Sequence, residues 1–171
     1  MNVKLTDWDV GARTAADILG VPVETFRTWR KRHGLVPTPE WPGRGRAPEM
    51  RFQFRDLLQA RVAQKLMSVG VSVKDACAAA HHGNFNTFIS GGQVRVGFVD
   101  GELCVPGKPG RGPNEYEDVF LTFSLENDGW RIARQFKEDL ADEYGEEVAT
   151  AAYDDFVKYV EKIRSRSRVD V

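Results

Sequence analysis

Cysteine is scarce in this chain: Cys77 and Cys104 are the only two among 171 residues. Two cysteines cannot build the disulfide framework of a small secreted domain, so a reducing, cytoplasmic setting is expected. Long apolar runs are lacking as well. The longest, around Val119–Leu125, falls far short of the ~20 residues that span a bilayer, so no membrane partner is expected. Met1–Val10 carries Lys4, Asp7 and Asp9 with no apolar core, and no secretory leader is expected there. The common catalytic signatures are missing too: there is no phosphate-loop spacing, no His-Glu-x-x-His and no Gly-x-Ser-x-Gly. Gly107–Gly112 is glycine-rich and basic but lacks the Walker spacing, and reads as a loop. Cys77 and His81 stand four apart, a spacing that can put two metal ligands on one helix face. Neither belongs to a Cys-x-x-Cys pair, so Cys77 reads as a small buried residue. No cofactor, no metal and no enzymatic activity are expected.

What is present is an ordinary globular composition, 42% hydrophobic and 29% charged. That excludes a mostly disordered chain. The net charge of −1 reads at first as evidence against a nucleic-acid binder, but it is an average of two unlike halves. Residues 1–82 hold 13 Lys/Arg against 8 Asp/Glu, a net of +5; residues 83–171 hold 11 against 17, a net of −6. Between Arg27 and Arg61, 9 basic residues face only Glu40, Glu49 and Asp56. A basic stripe of this kind is the electrostatic footprint of phosphate binding.

In the basic half, Thr14-Ala-Ala-Asp17 has the form of a capping box and predicts a short helix over Thr14–Leu19, ended by Gly20. Val21-Pro22 opens a second helix, because a proline in the first turn loses no hydrogen bond. That helix runs to about His33, with Gly34 placed for a left-handed cap. Ala16, Leu19, Val23 and Phe26 supply the apolar contacts between the two, forming a helix-turn-helix pattern. Four prolines and two glycines between Val36 and Met50 predict a hairpin-like loop with Arg44 and Arg46 at its tip. Arg51–Phe54 returns as a short strand, and Arg55–Ser68 reads as a helix with Leu58, Val62 and Leu66 on one face beside Leu57. Ser72-Val-Lys-Asp75 is a second capping box, opening a helix that runs to about His81 and stops at Gly83.

The order helix, turn, helix, Arg-bearing wing, helix, short helix resembles the MerR-type winged helix-turn-helix family over about Ala12–His82. The resemblance is carried by Thr14-Ala-Ala-Asp-Ile-Leu-Gly20, Val21-Pro-Val-Glu-Thr-Phe-Arg-Thr-Trp29, Gly34-Leu35, Arg51-Phe-Gln-Phe-Arg-Asp-Leu-Leu58 and Val69-Gly-Val-Ser72. Pro22 stands where the family often has serine, and the wing is longer and richer in proline than usual. No long dimerisation helix follows directly after His82. The resemblance therefore implies the DNA-binding module and not the family's sensor biology. Phage and mobile-element excisionases and small terminase subunits use similar modules without that helix.

A recognition helix enters the major groove by its N-terminal part and outward face. Glu24, Thr25, Arg27, Thr28 and Lys31 fall in that region, with Phe26 turned inward. The DNA-binding candidates are Thr14, Thr25, Arg27, Thr28, Trp29, Lys31, Arg44, Arg46 and Arg51. Arg27, aligned with the family's arginine, contacts phosphate or guanine in this reading. Thr25 and Thr28 contact phosphate or a thymine methyl. Arg44 and Arg46 reach phosphates or a narrow minor groove, and Arg51 reaches phosphate. Trp29 occupies an aromatic position of the family, where the ring packs near the wing and its N–H reaches the backbone; simple core packing is the equal alternative. Arg55 and Arg61 read as ordinary surface charges.

In the acidic half, Gln93–Val99 and Glu102–Val105 flank Asp100-Gly101, a strong hairpin pattern. Asp118–Ser124 predicts a third strand, buried on both faces. Asn127-Asp-Gly129 reads as a turn or cap. From Trp130 onward Ile132, Ala133, Phe136 and Leu140 recur at helical spacing, and a last helix spans about Glu146–Arg164. Its basic end, Lys158, Lys162, Arg164, Arg166 and Arg168, complements the helix dipole, or else forms a second DNA contact or a protein-docking arm. The acidic run Glu138–Glu143 reads as a solvated face.

The expected fold is α+β: a winged helix-turn-helix over residues 1–83, then a small antiparallel sheet with C-terminal helices over 84–171. The second segment is expected to serve oligomerisation or partner or effector binding. The expected function is a sequence-specific transcriptional regulator that binds double-stranded DNA as a homodimer. A phage or mobile-element DNA-architectural factor and a protein-interaction adaptor are the rival readings.

Overall fold

A computed structural model describes residues 3–36, 50–80, 84–99, 102–104 and 120–167. The fold is α+β with two small antiparallel sheets. It opens with strand β1 (Asp9–Gly11), which runs directly into helix α1 (Ala12–Leu19). This corrects the Thr14–Asp17 capping box. Gly11 is the N-cap, without a side-chain bond, and Thr14 and Asp17 lie inside the helix. The start is set by β1 pairing with β2 (Arg51–Gln53), with Asp9 opposite Gln53 and Gly11 opposite Arg51. The cap at the other end follows the sequence. Gly20 adopts φ 70°, and the Val21 N–H donates to the Ala16 carbonyl at 3.0 Å, so the chain reverses within a few residues.

Helix α2 (Val23–His33) follows Pro22 and ends at Gly34, φ 64°. After β2 come α3 (Phe54–Ser68) and α4 (Val73–Ala79). The Gln53 N–H donates to the Asp56 carboxylate at 2.8 Å, closing the start of α3. Ser72 caps α4 as its sequence predicts, its hydroxyl accepting from the Asp75 N–H at 3.2 Å. Leu57, Leu58, Val62 and Leu66 of α3 are buried.

Helix α5 (Asn84–Ile89), for which the sequence offered no expectation, leads into a sheet of β3 (Gln93–Val99), β4 (Glu102–Cys104) and β5 (Phe120–Ser124) in the order β4-β3-β5. Val99 pairs with Glu102, as the expected hairpin requires; Asp100 and Gly101 themselves lie outside the described residues. β5 is an edge strand with Thr122 and Ser124 exposed and Leu121 and Phe123 half-buried. The expectation that it is buried on both faces is therefore corrected: only one face of this sheet meets the core.

Helices α6 (Glu126–Tyr144) and α7 (Glu146–Ser167) form an antiparallel hairpin about Gly145. α6 begins before Trp130, so Asn127–Gly129 is its first turn and not a separate turn. Gly129 is there for space: a Cβ at this position would overlap the Phe88 ring. Phe54 of α3 lies within 5.2–6.0 Å, centroid to centroid, of Phe85, Phe88, Phe136 and Phe156. Buried side chains from both sides of residue 83 thus form one cluster running from Leu5 to Val160. The expected boundary adjoins residues 81–83, which lie outside the described residues.

Two basic residues turn out to hold this core together. Arg61, expected at the surface, has a largely buried side chain. Asp128 of α6 takes both Arg61, at 3.3 Å, and Lys65, at 2.9 Å. Arg164, expected as a dipole charge or DNA contact, folds inward. It pairs with both oxygens of Glu126 (2.6 and 2.8 Å) and donates to the Phe88 and Ile89 carbonyls (2.9 and 3.3 Å). It also lies over the rings of Phe88 and Trp130. Arg168 lies outside the described residues.

Arg164 holds the Glu126 carboxyl below its ordinary pKa through hydrogen bonding, assisted by Trp130. A depressed folded pKa adds stability above the unfolded value near ~4.3 and loses it as pH falls through the folded value. The stability difference between wild type and Glu126→Gln, followed by urea unfolding, is therefore expected to be larger at pH 6 than at pH 3. Gly129→Ala is expected to destabilise the protein by ~1–3 kcal/mol in thermal unfolding, because overpacking outweighs the helix-propensity gain. Shrinking the ring by Phe88→Leu in the same chain is expected to recover part of that loss.

Candidate nucleic-acid interface

Helix α2 is amphipathic in a way that separates packing from exposure. Phe26 is fully buried, 4.9 Å from the Phe52 ring, and Trp29 is 8% exposed in the same core. These two side chains fix the rotation of α2 against α1 and β2. Glu24, Arg27, Thr28, Lys31 and Arg32 are consequently exposed, and Thr25 is half-buried at their margin. The last turn carries Arg30, Lys31, Arg32 and His33, where cations complement the helix dipole.

The expected contact residues are not all alike in position. Thr25, Arg27, Thr28 and Lys31 come together on the N-terminal and outward part of α2. Trp29 lies on the opposite, inward face, where its ring packs. Thr14 is half-buried in α1. Arg44 and Arg46 lie outside the described residues. Arg51 is bound by Asp9: Nε donates to Oδ1 at 2.7 Å and Nη2 donates to the backbone carbonyl at 2.9 Å. The bond to Asp9, reinforced by the charges of Asp9, Asp139 and Glu143, raises the Arg51 pKa above its ordinary value. A phosphate approaching Arg51 would meet that negative surround.

Arg30 and Arg32 were not among the sequence candidates. Arg32 is four residues from Thr28, a helical spacing that could have placed it on the outward face. Arg30 is half-buried, with its guanidinium 5.9 Å over the Phe52 ring. Desolvation, and secondarily the charge of Arg27, lower its pKa. Arg27 itself forms an ion pair with Glu24 at i, i+3 while both side chains remain exposed, at 48% and 74%. The acidic residue was visible in the sequence; its pairing was not, because a helix surface offers Arg27 several rotamers.

Elsewhere the chemistry is sparse. Cys77 is buried, and burial pushes its thiol up to about 11. His81 and His82 lie outside the described residues. Among the described residues no group of three His, Cys, Asp or Glu is arranged to hold a metal ion. No helix among them is long and apolar enough to cross a membrane. The acidic run on α6 is not wholly solvated, since Asp139 accepts from the Trp8 indole N–H at 2.9 Å.

Compared with known proteins, residues 12–80 match the family described as MerR HTH family regulatory protein. The match takes in α1, α2, β2, α3 and α4, and at family level this segment is similar to DNA-binding transcriptional regulators. No curated protein and no solved structure matched the chain.

Because a raised pKa and burial both suppress the thiolate, Cys77 is expected to resist a thiol reagent. In a Cys104→Ser variant at pH 8, 5,5′-dithiobis(2-nitrobenzoic acid) is expected to label Cys77 only after guanidinium unfolds the chain.

Proposed function

Starting from the family match over residues 12–80, we propose that this protein is a sequence-specific transcriptional regulator whose α2 enters the major groove of double-stranded DNA. The observation that carries the reading is the outward face of α2. Phe26 and Trp29 lock the helix by its inner side, leaving Arg27, Thr28, Lys31 and Arg32 exposed together. A recognition helix works in this way, its packed side fixing register and its outer side meeting base edges and phosphates.

In this reading Arg27 and Thr25 sit at the groove-entering end, with Thr28 beside them. Lys31 and Arg32 neutralise phosphates, and Arg44 and Arg46 extend contact from the wing. Trp29 acts by packing. Arg51 is left out, because Asp9, Asp139 and Glu143 surround it with negative charge. The protein acts in the cytoplasm, without catalysis of its own, and as a homodimer. Modules of this kind pair on two half-sites about one helical turn of DNA apart. The segment 84–171 supplies the dimer contact or a partner surface.

The test is binding of fluorescent duplexes, first selected by the full chain from fragments of the source genome. Affinity is expected to fall at least about tenfold between 50 and 200 mM salt, since each neutralised phosphate contributes a log–log slope of ~0.9. Lys31→Ala is expected to reduce that slope by about one contact. An Arg27→Ala, Arg44→Ala, Arg46→Ala variant is expected to lose both DNA binding and biological activity. Survival of both would overturn the mechanism. Palindromic promoter sites among the selected fragments support regulation, whereas bending at attachment or packaging sites would replace it with an architectural role. Light scattering that gives a monomer would remove the dimer.

A further inference from the structure

The Glu24–Arg27 pair invites an explanation that stability does not provide. Both side chains are exposed, and exposed ion pairs contribute only ~0–1 kcal/mol. A carboxylate in the first turn does favour the helix dipole. Yet it also places a negative charge at the end of α2 that faces DNA in the reading above, where it repels phosphate.

The geometry of the pair resolves this. Arg27 donates to the Glu24 carboxylate through Nη1. A guanidinium carries five N–H donors in a rigid fork, so this bond leaves the Nε–Nη2 edge for a second, bidentate partner. Arg30, held over Phe52, repels Arg27 electrostatically. Attraction by Glu24 and repulsion by Arg30 both bias this long, flexible side chain toward the Glu24 side.

Two partners compete for that remaining edge. A phosphate is drawn by net charge, which the adjacent Glu24 carboxylate offsets in part. Guanine is neutral and presents two fixed acceptors, O6 and N7, in the major groove. A charge-compensated, oriented fork suits the second and is poorly suited to the first.

Resting on the DNA-binding reading above, we propose that Arg27 recognises a guanine in the major groove, and that Glu24 is its positioning residue.

The test uses the full chain and a selected duplex in which each guanine is replaced in turn by another base or by 7-deazaguanine, which lacks N7. At one position, wild type is expected to prefer guanine by at least about fivefold. Arg27→Ala is expected to abolish that preference and to become indifferent to 7-deazaguanine there, with little change in salt slope. Glu24→Gln and Glu24→Ala are expected to weaken the preference at the same position while tightening binding to unrelated duplexes. Thermal unfolding midpoints close to wild type establish that the variants fold. If the Glu24 variants tighten all duplexes equally and keep the guanine preference, Glu24 merely repels and the proposal fails. It fails too if Arg27→Ala lowers the salt slope by a full contact without altering base preference, which is phosphate behaviour. A full chain that binds no duplex at all overturns the DNA-binding reading itself, a result distinct from binding without Glu24-dependent preference.

Discussion

The ring of Phe54 stands at the first residue of α3 and touches aromatic residues from α5, α6 and α7. Each such edge or tilted contact adds ~0.5–1.5 kcal/mol beyond the area it buries. Around it the space is fully committed. Phe88 approaches α6 so closely that residue 129 must lack a side chain, and Arg164 closes the cluster over Phe88 and Trp130. Because Phe54 directly follows β2, the cluster also fixes where that strand emerges. β2 in turn carries Phe52, against which Phe26 of α2 is packed. The orientation of the outward-facing helix thus traces back, ring by ring, to the interior.

Charge is arranged on the same frame. The acidic second half does not simply offset the basic first half across solvent. Asp128 takes Arg61 and Lys65 of α3, while Asp139 and Glu143 of α6 add to the field of Asp9 at Arg51. Arg61 and Lys65 are thereby paired against the core, while Arg51 is paired with Asp9 at the surface. Arg27, Thr28, Lys31 and Arg32 on α2 remain at the surface, as do Arg13, Arg55 and Lys74 elsewhere in the first 82 residues. The exposed face of α2 lies within residues 12–80, the segment that matches the family.

Much of this was legible from the sequence. The α2 boundaries, the stop at Gly20, the left-handed cap at Gly34, the Ser72 cap and the pairing of β3 with β4 follow from residues a few positions apart. Phe26 was correctly turned inward by helical spacing. What escaped was β1, whose partner lies 42 residues away, and with it the true start of α1. Asn127–Gly129 looked like a turn because Asn, Asp and Gly favour turns locally. The Phe88 ring, remote in sequence, supplies the reason that a glycine occupies the first turn of a helix instead. The basic end of α7 looked like a surface feature until Glu126 and the α5 carbonyls claimed Arg164.

The sequence alone determined the helix-turn-helix, the glycines that end its two helices, the strand pair and the polarity of charge along the chain. All of these rest on hydrogen bonds and side-chain periodicities within a few residues. Only the tertiary structure decided which charges stay exposed, why Gly129 is helical, how β1 sets α1, and that Arg164 turns inward to Glu126. Each of those depends on which rotamer or neighbour wins when elements pack. That competition is settled by space and desolvation in three dimensions, for which a linear pattern carries no code.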